Sequence, residues 1–177
     1  PVMLDHVVDH LAPEAGSDIL DGTFGGGGYS RRILQSAECT VLGVDQDPDA
    51  IARSEPLKAE FGDRFQLLPG RFGDLSELSS EAGYAALDGV VLDLGVSSFQ
   101  LDQADRGFSF MRDGPLDMRM SKSGPSAADV VNEAREGDLA DIIFQLGEER
   151  DSRRIARRIV DARKTEAFES TLQLAEL

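Results

Sequence analysis

Four short apolar runs, each closed by a turn signal, constrain the fold of this chain more than any other feature. "DILDGT" opens the series at residue 18, and a helix beginning near Gly27 and carrying Ile33 and Leu34 follows it. "TVLGVD" (40–45) leads through "QDP" into a helix expected from Pro48 to Phe61, with proline in the first turn, where its missing N–H costs nothing. "FQLLPG" (65–70) precedes a short helix around "GDLSELSS", and "LDGVVLDLGVS" (87–97), the most apolar of the four, is expected as a central strand. Strand and helix in alternation predict an α/β fold, a parallel doubly wound sheet with right-handed crossovers.

After Ser97 the grammar changes. Residues 98–122 carry Gly, Pro and alternating charges without a strand period, so they read as a long ordered loop, and loops of that length inside a compact protein are usually functional. From residue 123 the pattern is helical, with Ser126 as an N-cap, Gly137 and Gly147 as breaks, and a helix from about Glu148 to Lys164. The expected organisation is therefore a core over 1–122, including the loop 98–122 as a substrate loop, and a helical insertion subdomain over 123–177. Four strands with a helical tail leave such a sheet short of its second half, and the chain reads as truncated.

Composition narrows the function. The 177 residues suffice for a sizeable core, and the net charge of −15 argues against a non-specific nucleic-acid coat. The basic charge is local: "RDSRRIARRIVDARK" (150–164) holds seven bases against two acids, and reads either as a solvated helix face or as a patch facing a polyanion. The single cysteine, Cys39, lies in the apolar context "ECTVLGV" and reads as a core residue of a reducing compartment. No apolar run approaches the roughly 18 residues of a membrane span. With no secretory signal visible either, the expected location is cytoplasmic and no membrane partner is expected.

Ligands of open α/β sheets sit beyond the carboxyl ends of the strands. The turns there read "DGTFGGGGY", "DQDP", "PGRFGD" and "DLGVSS". No register of Gly22–Gly28 gives the G-x-G-x-x-G of a dinucleotide fold, and no G-K-[ST] follows, which counts against NAD and nucleoside triphosphates. Acids beside a glycine loop repel a pyrophosphate but attract the sulfonium and ammonium of S-adenosyl-L-methionine. On this reading Asp21 faces the cationic end, while Asp45, at the end of the second strand, takes the ribose hydroxyls. Phe72 packs on adenine, and Asp93 lies across the crevice. The plainer alternatives are Asp18 as a strand-start cap, Asp45 as a helix cap before Pro48, and Phe72 as core. His6 and His10 lie one helical turn apart, but with no third ligand a solvated face is preferred and no metal is expected.

At "DGTFGGGGYS", "DLGVSSFQLD" and above all "RGFSFMRDGPLDMRM" the chain resembles the RsmH (MraW) family of bacterial ribosomal RNA methyltransferases. The likeness begins at "PVML" and runs through "SAADVVNEA" and "GEERDSRRIARRIV". It implies a Rossmann-like methyltransferase fold that uses S-adenosyl-L-methionine to methylate the exocyclic N4 of a cytidine in the decoding region of small-subunit ribosomal RNA. Carried over by position, it implies cofactor contacts at Gly27, Gly28, Tyr29, Asp45, Phe72, Asp93 and Gln100. Tyr29 stands where the family commonly has His, and Phe99 where it has Pro. The family also continues well past residue 177.

The implied reaction is attack of the cytosine amino nitrogen on the methyl carbon, which requires alignment and an acceptor for the amino N–H groups. Asp93, Ser97 and Asp117 are the catalytic candidates. The target base must be unpaired or swung out. Arg106, Arg112 and Arg119 and the 150–164 helix are candidate phosphate contacts, with pairing to Asp105, Asp113 and Asp117 as the alternative. The implied partner is small-subunit ribosomal RNA in the assembled subunit; the oligomeric state stays open, a homodimer included. Two competitors remain: a module that binds cofactor or RNA without catalysis, and an NAD-dependent oxidoreductase.

Overall fold

The computed structural model describes residues 2–177 and divides the chain into two compact units, Pro1–Gly95 and Val96–Leu177. In the first unit, helix α1 (Leu4–Leu11) precedes β1 (Asp18–Asp21), α2 (Gly28–Ser36), β2 (Thr40–Asp45), α3 (Pro48–Ala52), α4 (Glu55–Phe61), β3 (Phe65–Pro69), α5 (Leu75–Glu81) and β4 (Gly89–Val91). The strands form one parallel sheet in the order β3-β2-β1-β4, with Asp21 beside Gly43 and Val91, and Asp45 beside Pro69. The α/β expectation holds. The core joins Ile19, Ile33, Leu34, Val41, Phe65 and Val91 with the fully buried Cys39.

Three local expectations need correction. The helix expected over 48–61 is two helices, because Pro56 has no N–H for the Ala52 carbonyl and its ring crowds that carbonyl. The chain turns instead at the fully buried Ser54, whose hydroxyl donates to the Ile51 carbonyl at 2.8 Å. The fourth run is shorter than expected: β4 has three residues and, among the described residues, pairs with β1. Of its side chains Val91 joins the core, whereas Val90 is 51% exposed, as is Leu94 (64%) in the turn that follows.

The second unit comprises α6 (Ser98–Asp102), a 3-10 turn at Ala104–Arg106, α7 (Ala127–Glu133), α8 (Glu136–Gly147), α9 (Ser152–Ala162) and α10 (Thr171–Ala175). The segment 98–122, expected to go with the core, packs with these helices. Leu116 belongs to their core with Val131, Leu139, Ala156, Ile159 and Phe168. Main-chain bonds run from Leu116 N to Glu169 O, from Thr171 N to Gly114 O and from Ala128 N to Leu116 O. Gly107, at φ +71°, passes so close to the Pro115 carbonyl that a Cβ would lie 2.2 Å from it. Only glycine fits there.

Ser126 caps α7 as expected, in a capping box with Asp129. Gly137 does not break a helix; it sits in the first turn of α8, where amide donors are unsatisfied anyway, and the break falls at the extended Ala134 and Arg135. Gly147 ends α8, but Glu148 takes the left-handed position (φ +52°), so the next helix starts at Ser152 and not near Glu148.

Candidate functional site at the strand carboxyl ends

Asp21, the last residue of β1, is completely buried. Its carboxylate accepts the Ser30 hydroxyl at 2.7 Å and the Thr23 amide at 3.3 Å, an Asx turn that starts the glycine loop. Burial raises its pKa from 3.8 to about 6, against the lowering effect of the Ser30 and Thr23 hydrogen bonds. Expected as a direct cofactor contact, the side chain is instead enclosed and holds the loop from beneath.

The loop is tied down at four more points. Gly22 N–H donates to Val91 O and Phe24 N–H to Val44 O. The Gly25 amide donates to Asp45 Oδ2 at 2.7 Å. Thr23 Oγ1 accepts the Asp93 amide at 2.7 Å, which fastens the end of β4 to the same loop. Gly27 caps α2 at φ +73°, and a Cβ there would lie 2.7 Å from the Phe24 ring. Phe24 in turn packs on Phe65, with ring centroids 5.6 Å apart. Gly28 begins α2, so the loop delivers the unpaired amides of a helix start to the carboxyl edge of the sheet.

Tyr29 lies in the core, its hydroxyl donating to the Val2 carbonyl and its pKa raised by burial. That leaves only its main chain for a ligand. Asp45 Oδ1 also accepts the Asp47 amide at 2.8 Å, and the buried Asp47 caps α3 through the Asp49 amide at 3.0 Å. Asp45 is thus a turn-former, while the capping acid before Pro48 is Asp47. Phe72 is 51% exposed in a 3-10 turn after β3, not core. The Asp93 carboxylate is exposed and has no hydrogen-bond partner among the described residues. Asp18 works at the strand start, accepting the Thr40 hydroxyl and giving its amide to Asp88.

Thr23, Ser30 and Asp47 were missed by sequence reasoning. "D-G-T" and "D-Q-D-P-D" nevertheless carried the signal, since acids two residues before an amide that needs a partner form Asx turns.

In the second unit, Ser97 and Gln100 form a reciprocal cap on α6: Ser97 Oγ accepts the Gln100 amide at 3.2 Å and Gln100 Oε1 accepts the Ser97 amide at 3.0 Å. Gln100 is buried, so this expected cofactor side chain serves a helix end. Phe99 sits in the first turn of α6, a position that proline also tolerates.

Arg106 is buried, donating to the Arg119 and Met120 carbonyls at 3.1 and 3.0 Å. Arg119 forks onto Asp117 at 3.0 and 2.6 Å, which pulls the Asp117 pKa down and keeps both charged. Arg112 is exposed and reaches the Asp102 carbonyl. Of the three phosphate candidates, only Arg112 is displayed to solvent. His10 Nδ1 lies 2.8 Å from the His6 carbonyl, a bond within α1, and no group of three metal-holding side chains occurs among the described residues.

A parallel sheet whose carboxyl ends bear a glycine loop and a row of acids is a Rossmann-like α/β methyltransferase fold. The family model for the MraW methylase family matches residues 1–177, and the chain belongs to that family. It is 62% identical over 175 residues to the ribosomal RNA small subunit methyltransferase H of Hyphomonas neptunium, covering 99% of this chain and 51% of that protein. The protein of the same name from Parvibaculum lavamentivorans is 58% identical over 177 residues, 100% of this chain and 52% of the relative. That of Acidiphilium cryptum is 57% identical over 175 residues, covering 99% of this chain and 56% of the relative. The chain therefore spans about half the length of the curated relatives it matches.

Proposed function

We propose that this chain binds S-adenosyl-L-methionine at the carboxyl ends of β1, β2 and β4, and serves methyl transfer to the exocyclic N4 of a cytidine in small-subunit ribosomal RNA. The observation that carries the reading is the charge of the site. Asp45 and Asp93 stand at the strand ends beside the glycine loop with Asp21 and Asp47 buried behind them, and Arg71 is the single base in the four turns. Such a lining opposes a pyrophosphate and suits a cationic nucleoside. The names of the relatives support the RNA substrate.

When bound, the cofactor supplies a methyl group activated by a sulfonium. Asp45 keeps lone pairs beyond those given to Gly25 and Asp47, and these accept ribose hydroxyls. Phe72 offers an exposed ring for the adenine face, and the first-turn amides of Gly28 and Tyr29 offer donors. Asp21 holds the loop through Thr23 and Ser30, so these groups are positioned before the ligand arrives. Asp93, with its amide pinned and its carboxylate free, accepts hydrogen bonds from the amino group of an unpaired cytosine and raises electron density on nitrogen. Asp117 is a weaker acceptor, its oxygens being taken by Arg119, and Ser97 is engaged at the α6 cap. On this reading the chain meets its RNA in the small subunit, in the cytoplasm; no helix among the described residues is long and apolar enough to cross a membrane.

Calorimetric titration with S-adenosylmethionine and separately with NADH tests the reading. Saturable binding of the former alone is expected; NADH binding, or no binding by a folded chain, overturns it.

A further inference from the structure

Helix α9 presents Arg153, Arg154, Arg157 and Arg158 to solvent, and Arg150 precedes it, also exposed. Arg153/Arg157 and Arg154/Arg158 are each four apart, so like charges stand one above the other, an arrangement that destabilises a helix. The chain has acids to spare, 33 against 18 bases, yet few are used here. Arg154 pairs with Asp151 at 2.6 Å and Arg157 with Glu136 at 3.6 Å. Arg150, Arg153 and Arg158 have no carboxylate or hydrogen-bond partner among the described residues. Nearby Arg163 behaves differently: it donates to the Val131 and Ala134 carbonyls at 2.6 and 2.7 Å, and is structural.

We infer that the α9 arginine stripe, Arg150, Arg153 and Arg158 with Arg154 and Arg157, docks the phosphate backbone of RNA. This rests on the proposed function for the choice of polyanion. A lipid surface fits less well, because the apolar side of α9 is spent in the core through Ala156 and Ile159 and no apolar face remains to insert. Guanidinium groups match phosphate oxygens in a fork, and a local stripe on an otherwise acidic chain confines contact to one face. Of the other arginines considered for this task, Arg106 and Arg119 are consumed by carbonyls and by Asp117, and Arg112, though exposed, reaches the Asp102 carbonyl.

The test is binding of a fluorescein-labelled single-stranded RNA of mixed sequence by the full chain at several KCl concentrations. The proteins compared are wild type, Arg153→Ala/Arg158→Ala, Arg153→Lys/Arg158→Lys, and Arg135→Ala, an exposed arginine paired with Asp138 outside the stripe. Each lost phosphate contact lowers the slope of log affinity against log salt by roughly 0.7, so the double alanine variant should lose roughly 1.4 in slope and about tenfold in affinity. The lysine variant should keep the slope, and Arg135→Ala should match wild type. Wild-type slope and affinity in the folded double alanine variant overturn the inference, as does equal weakening by Arg135→Ala. If the wild type binds S-adenosylmethionine but no RNA, the stripe fails and the cofactor reading stands. If RNA binding shows the expected loss but no cofactor binds, the stripe stands and the methyltransferase reading fails.

Discussion

Gly25 and Asp45, twenty residues apart, are joined by a 2.7 Å hydrogen bond from the glycine amide to Oδ2. The acid that ends the second strand is thus the anchor of the loop after the first strand. Loop shape and, on the proposed function, ribose recognition then depend on one carboxylate, and a change there should affect both.

Asp45→Ala strands the Gly25 and Asp47 amides and removes the proposed ribose acceptor. S-adenosylmethionine binding should weaken by about 1–3 kcal/mol, the range for a charged hydrogen bond. Calorimetry on a variant with wild-type circular dichroism is decisive; unchanged affinity would remove Asp45 from the binding site.

Asp21 should make stability depend on acidity in a particular direction. With its pKa near 6 in the fold against an ordinary 3.8, the native chain holds a proton in that interval which the unfolded chain has released. The contribution of this group is therefore full at low pH and is lost as pH rises through about 6, by about 3 kcal/mol. Urea unfolding followed across this range should show Asp21→Asn gaining on wild type as pH rises. A constant difference between the two would contradict the burial of the charge.

Gly27→Ala combines a left-handed backbone with a Cβ placed 2.7 Å from the Phe24 ring. A loss of about 1–3 kcal/mol is expected from strain and displacement of that ring. Gly16→Ala is the comparison, since its φ is also positive (+84°) but nothing lies within 4 Å. Equal urea midpoints for the two variants would mean that the Phe24 contact contributes nothing.

Arg106→Ala leaves the Arg119 and Met120 carbonyls without their donor inside the second unit. Destabilisation of about 2–3 kcal/mol should follow, read as a lower thermal midpoint. RNA affinity per folded molecule should not change. A selective loss of RNA affinity without loss of stability would return Arg106 to the phosphate contacts.

The strands β1, β2 and β3 were legible to within a residue because each apolar run ends in Asp or Pro-Gly, where side-chain chemistry turns the chain. The length of β4 was not, since the apolar run 87–97 continues past Val91, where pairing with β1 stops, and apolarity says nothing about which neighbour a residue pairs with. Pro56 and its clash with the Ala52 carbonyl were visible in the sequence, yet the helical period across 48–61 outweighed them. In the site, the acids were found by type and spacing. Their division of labour was not: whether Asp21 faces the ligand or the loop depends on Ser30 closing over it, and Ser30 is nine residues away. Tyr29 likewise needed the orientation of α2, which spacing alone leaves undetermined.

The single-sided pairing of β4 also says what the sheet can still accept. Among the described residues its ladder to β1 uses one row of amides and carbonyls, while the side chain of Val90 stays half exposed. A strand laid along the other side of Gly89–Val91 would extend the ladder and cover Val90, whichever chain supplied it.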